Sequence, residues 1–185
     1  MKNFLLTIVL VASVMSASAQ GSIVNDVFQQ KEVFNAEGKS GSSLYVHTLE
    51  VLSDIAGSQT KSKYNVDVQD KEEGLVVYKG LLYLGFKKLN FLCGWDVFAN
   101  FTLKVRCKDD KIQVAMIVPT ITYRWTGDPF ETTAKVTDVY PTFKYKGKVR
   151  IKKASLEIVP KLPNEVDKAV KALGKQLTTF ERDDF

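Results

Sequence analysis

The chain has 185 residues, 45% of them hydrophobic, and its 26 Lys and Arg outnumber 21 Asp and Glu for a formal charge of +5. That length suits one domain burying roughly 70% of its unfolded surface, and the apolar content excludes a disordered chain. One histidine and two cysteines exclude a disulfide-dense scaffold and the common zinc arrangements, His-Glu-x-x-His and paired Cys-x-x-Cys.

Residues 1–19 read as a secretory leader: Lys2 gives a positive start, residues 4–14 are an apolar run, and Ala17, Ser18 and Ala19 are small, as a cleavage site requires. The run is shorter than the roughly 20 apolar residues that span a bilayer. Cleavage before Gln20, no membrane span afterwards and a periplasmic or secreted location are therefore expected. Losing Lys2 would leave a charge of +4 (the +5 of the whole chain less one), too small to argue for nucleic acid.

Residues 22–34 carry scattered apolar points and read as one short strand. The glycine- and serine-rich residues 38–43 form a loop. Its Gly38-Lys39-Ser40 imitates a phosphate loop, but Val33 stands where that motif needs glycine. A helix follows, capped by Ser42 or Ser43 and ended by Gly57, with Leu44, Thr48, Val51 and Ile55 on one face. His47 lies in it without a second histidine or nearby cysteine, which favours a structural role. Ser58-Gln59-Thr60-Lys61 matches a Ser-x-x-Lys motif, but no Lys-Thr-Gly or Ser-Asp-Asn accompanies it.

Residues 63–70 and 75–86 read as two strands joined at Lys71, Glu72, Glu73 and Gly74. Adjacent glutamates on a turn are solvated, whereas acid-base pairs converge across a pocket. The clearest pattern spans residues 95–125. Trp95, Val97, Ala99, Phe101, Leu103, Val105 and Cys107 alternate with Asp96, Phe98, Asn100, Thr102, Lys104, Arg106 and Lys108, the mark of a strand with one buried face. Asp109 and Asp110 turn the chain into Ile112, Val114, Met116 and Val118. Beyond Pro119 the parity switches to Ile121, Tyr123 and Trp125, so a bulge or edge position is expected near Pro119 and Thr120. An extended strand separates Cys93 from Cys107 by roughly 40 Å, too far for a bridge. Two unbridged, mostly buried thiols are expected.

Residues 127–143 look like a linker loop. After it Lys144, Lys146, Lys148, Arg150 and Lys152 alternate with Tyr145, Gly147, Val149 and Ile151. If extended, this segment presents one basic edge, which either grips an anionic ligand or keeps a sheet edge from pairing. Residues 164–180 form a last helix, capped by Asn164, with Val166, Val170, Leu173, Leu177 and Phe180 at three-four spacing.

Leu44-Tyr45 at the first helix, Asp70-Lys71-Glu72-Glu73-Gly74 before a long strand, Val105-Arg106-Cys107-Lys108-Asp109-Asp110-Lys111 at the hairpin, and the closing Asp183-Asp184-Phe185 together resemble a secreted bacterial family of unknown function. Its domain has a fold like that of the TATA-binding protein, and the similarity covers residues 28–125. Where that family tends to Lys-Asp-Gly-Arg at the hairpin, this chain has Lys108-Asp109-Asp110-Lys111. The resemblance implies an α+β fold: a curved antiparallel sheet of about five strands with two helices on one face. Residues 20–126 would form the sheet domain with its first helix, and residues 144–185 a basic segment and helix packed on it. No catalytic residue carries over.

No Gly-x-Ser-x-Gly or Gly-x-Gly-x-x-Gly motif occurs, and neither a catalytic set, a metal site nor a cofactor is expected. The expected function is a non-enzymatic binding or interaction domain whose partner is an anionic ligand, a glycan or an envelope protein. Its contacts would come from Lys144, Lys146, Lys148, Arg150 and Lys152, with Phe98 and Tyr83 adding aromatic surface. Nucleic acid is not expected, because an exported protein does not meet DNA and a shared fold does not fix function. Two alternatives are an envelope glycan hydrolase using carboxylates such as Asp54, Asp67 or Asp138, and a structural subunit of an envelope assembly.

Overall fold

The computed structural model describes residues 21–58, 66–89, 91, 93–127 and 129–180, and the leader expected at residues 1–19 lies outside the described residues. Seven strands form one antiparallel sheet: β1 (Ser22–Val24), β2 (Val27–Asn35), β3 (Val66–Asp70), β4 (Leu75–Lys88), β5 (Gly94–Lys108), β6 (Lys111–Trp125) and β7 (Glu131–Lys135). The helices are α1 (Gly41–Ser58), α2 (Val136–Val139), α3 (Lys152–Ile158) and α4 (Leu162–Thr178), and a 3-10 turn (Val159–Lys161) joins α3 to α4. The strand order is β1-β2-β6-β5-β4-β3, with β7 also paired to β6. The α+β class is as expected, with seven strands in place of five and two short helices added.

The β5–β6 ribbon sits at the centre because its alternation offers a continuous apolar face. Trp95, Val97, Ala99, Leu103, Val105 and Cys107 are buried, as are Ile112, Val114, Met116, Val118, Ile121 and Tyr123 of β6. The parity switch near Pro119 is a bulge: Asn100 pairs with Thr120, but Thr102 pairs with Ile117. On the other flank, residues 111–118 of β6 pair with β2, and residues 120–124 pair with β7. Pro119, which has no N–H to donate, falls at the position between those two partners.

All four helices pack on the inner face. Thr48 of α1 lies 3.5 Å from the Cys107 sulfur, the Tyr123 hydroxyl is 2.7 Å from that of Ser155 in α3, and Gln30 of β2 donates to Asp167 of α4 at 2.7 Å. Burial pushes the Cys107 thiol above its ordinary pKa and the Tyr123 phenol well above its own. Gly174 of α4 meets Phe34 so closely that a Cβ there would stand 2.2 Å from the ring.

Several expected boundaries moved. The single first strand is a hairpin, β1 and β2, because Asn25 and Asp26 both take positive φ, as a two-residue type I′ turn requires. The linker expected at residues 127–143 contains β7 and α2; β6 outruns β2, and β7 completes the exposed part of its ladder. The basic segment is not a strand. Residues 143–151 are irregular, and Lys152 opens α3. The cap of α1 is Ser40, not Ser42 or Ser43: Leu44 N–H donates to its carbonyl and Ser43 N–H to its hydroxyl, at 3.0 and 3.2 Å. Asn164 does not cap α4, which continues from the 3-10 turn with Lys161 at the N-cap position. Cys93 and Cys107 are not joined to each other, and Cys107 is buried.

Candidate functional site

The outer face of the sheet gathers the charges that the alternation of β5 sends away from the core. Lys104, Arg106 and Lys108 occupy every second position of β5 and are exposed, as are Lys31 and Lys111. Lys104 and Lys31 both face Ala115, Arg106 faces Gln113, and Lys108 is paired directly with Lys111. Val33, Arg106, Lys108, Lys111 and Gln113 line a hollow of about 280 Å³.

Two physical points set this group apart. Like charges directly opposite one another cost a sheet stability, yet Lys108 and Lys111 stand so. Lysines protect exposed sheet edges, but β5 is an interior strand. The carboxylates nearest in sequence are engaged elsewhere: Asp109 Oδ1 accepts Gly41 N–H and Asp110 Oδ1 accepts Gly38 N–H, each at 2.7 Å. None of the five cations has an ion-pair partner among the described residues.

Toward the other end of the same face, Phe98 and Tyr83 come together as an aromatic ledge with ring centroids 5.4 Å apart. The Arg124 guanidinium lies 5.0 Å over the Phe98 ring, and Tyr83 donates to Asp96 at 3.3 Å. Partial burial first, and then the charge of Asp96, raise the Tyr83 pKa. Between ledge and hollow, Asn100 Nδ2 donates to the hydroxyls of Thr120 and Thr122 at 2.9 and 2.8 Å. The eight residue steps from Phe98 to Arg106 span roughly 25 Å of strand, so the face is long enough to follow an extended ligand.

The expected row of Lys144, Lys146, Lys148, Arg150 and Lys152 is not a strand, and its alternation is broken at Gly147, which is exposed. These five are exposed, Tyr145 and Val149 are half-buried, and Ile151 is buried. The segment does not serve one pocket, however. Lys144 lines a cleft with Tyr140 and Pro141, whereas Arg150 lines another beside Trp95 and Trp125.

The cluster on β5 was missed as a site because its residues were read only as a wet face. The usable signal was three cations at alternate positions of a strand whose neighbours place it inside a sheet. The His47 ring lies 4.0 Å from that of Phe180, and Lys39 donates to the carbonyls of Thr178 and Phe180 at 2.7 and 2.6 Å. That satisfies orphan carbonyls and places a cation at the negative end of α4. Asp54, Asp67 and Asp138 fall on α1, β3 and α2 respectively, and Asp67 is paired with Lys79 at 2.8 Å. No three His, Cys, Asp or Glu side chains among the described residues form a metal-ligand set, and no described helix is long and apolar enough to cross a membrane.

Residues 31–121, the stretch holding the cationic ribbon, match the model of the domain of unknown function DUF4468, which has a TBP-like fold. The chain belongs to the DUF4468 family. A TBP-like protein from Parabacteroides distasonis superposes with a TM-score of 0.63 at 14% identity, over 86% of this chain and 98% of that one. A DUF4468 family protein from Bacteroides ovatus gives 0.57 at 15% identity, over 88% and 94%. At such identities these similarities establish the DUF4468 fold alone. No curated protein is significantly similar to the chain.

Proposed function

We propose that this DUF4468 protein is an exported, non-enzymatic binding domain that holds an extended anionic polymer of the cell envelope along its outer sheet face. The observation that supports the reading is the cation group Lys31, Lys104, Arg106, Lys108 and Lys111, unpaired among the described residues, of which Lys104, Arg106 and Lys111 have paired strands on both sides, where edge protection does not account for them. The Tyr83–Phe98 ledge adds aromatic surface on the same face. Export rests on the leader pattern of residues 1–19, and amino-terminal sequencing of the mature protein should begin at Gln20.

Titration with dextran sulfate tests the binding. Affinity should fall about tenfold or more between 50 and 200 mM salt, as displacement of several counterions requires. The double variant Lys104→Glu, Arg106→Glu should lose binding, and Lys146→Glu, Lys148→Glu should keep it. The opposite result would move the site to residues 144–152. Duplex DNA serves as the comparison polyanion, and a clear preference for it would sink the envelope reading.

A further inference from the structure

A second site lies at the far end of the β5–β6 ribbon. Leu89, Trp95, Trp125, Phe130 and Val149 wall a cleft of about 480 Å³, and among the described residues Arg150 is the one charged side chain lining it. That volume falls within the roughly 300–1,000 Å³ of sites that take small molecules. Its walls are held in place. Trp95 and Trp125 are register partners with rings 4.8 Å apart, edge to face, and Phe130 packs 6.2 Å from Trp95. Trp125 N–H donates to the Phe130 carbonyl at 2.9 Å, and Thr126 N–H to that of Gly94 at 3.1 Å. Ile151, fully buried, anchors the segment that brings Arg150 to the rim.

Three features define what fits. The surface is apolar, with Phe130 and Leu89 both exposed. Trp95 is 5% exposed and its indole N–H is itself buried, so this residue offers a ligand apolar ring surface. Arg150 has no carboxylate partner among the described residues. A sugar demands several hydrogen bonds around its ring, and the one guanidinium among the described lining residues cannot supply them. We propose that this cleft binds a monomeric amphiphile with an apolar body and a single anionic head, of the fatty-acid carboxylate class, with its head on Arg150 and its chain against Trp125, Phe130 and Leu89.

The chain has two tryptophans and both line this cleft, so intrinsic tryptophan emission reports on it. Sodium dodecanoate below its micelle concentration should produce a saturable change in that emission. Dodecanol, or the Arg150→Gln variant with dodecanoate, should bind about tenfold more weakly, as loss of one partner of a charge-assisted contact implies. Phe130→Ser, a change at an exposed position, should weaken binding about threefold or more through lost apolar contact. The Lys104→Glu, Arg106→Glu variant should bind dodecanoate normally, which separates this site from the cationic face. No saturable change with dodecanoate, or equal affinity for dodecanol, overturns the proposal. So does a response to phosphatidylglycerol vesicles without one to monomeric dodecanoate, which would assign this surface to a bilayer.

Discussion

The inner and outer faces of the β5–β6 ribbon are built by the same strands from alternating residues, yet they do different work. On the inner face Val97, Leu103, Val105, Val114 and Tyr123 are buried under α1, α3 and α4. On the outer face Lys104, Arg106 and Lys108 remain in water. Covering one face makes its substitutions matter for folding, and leaving the other open keeps its charges solvated. The inner face pairs some of its polar atoms, as with Tyr123 and Ser155, since an unpaired buried hydroxyl is costly, yet it leaves the Tyr78 hydroxyl and the Trp95 indole N–H without a partner among the described residues. The outer face tolerates even the Lys108–Lys111 opposition.

Substitution series can break that contrast. Leu103→Ala, beneath the helices at 2% exposure, should cost about 2–5 kcal/mol in urea unfolding; a loss below about 1 kcal/mol would mean that the inner face is loosely packed. Asp109→Ala lies at the hinge between faces, where the hairpin tip accepts the Gly41 N–H at the start of α1. It should cost about 1 kcal/mol, the usual worth of such a cap, and a neutral result would remove the hairpin from the support of α1. Lys104→Glu with Arg106→Glu should change stability by no more than about 0.5 kcal/mol, as exposed substitutions do, while abolishing polyanion binding. Unfolding of that variant would show the outer face to be structural after all.

The smallest effect is one of pH. The hydrogen bond from Lys171, and then that from Gln30, hold the Asp167 carboxyl below its ordinary pKa. A carboxylate whose folded pKa is depressed contributes stability above its unfolded pKa and loses it as pH falls through the folded value. Wild-type stability should therefore decline on acidification through the carboxylate range by about 0.3–0.5 kcal/mol more than that of Asp167→Asn, the scale of an exposed i,i+4 pair. Equal acid sensitivity in urea titrations would show that Asp167 adds nothing to the seat of α4 on β2.

Much of this architecture was legible residue by residue. Alternation revealed the ribbon, its buried face and the bulge at Pro119, because a period of two follows directly from strand geometry. Three-four spacing revealed the buried stripe of α4. The Asn25-Asp26 hairpin was overlooked although both residues tolerate positive φ. The row from Lys144 to Lys152 alternates in and out except at exposed Gly147, but it runs as irregular chain, since period two reports which side is buried and not whether a neighbouring strand is present.

The sequence by itself determined the elements and which side of each is apolar, because side-chain direction and solvation are local properties of the chain. Only the tertiary structure decided which strands are interior, that Asp109 and Asp110 turn toward the loop before α1, and that Trp95, Trp125, Phe130 and Arg150 share one cleft. Those facts depend on strand order and on contacts between residues tens of positions apart. Whether a lysine shields an edge or waits for a ligand is fixed by its neighbours in space, which a linear pattern does not contain.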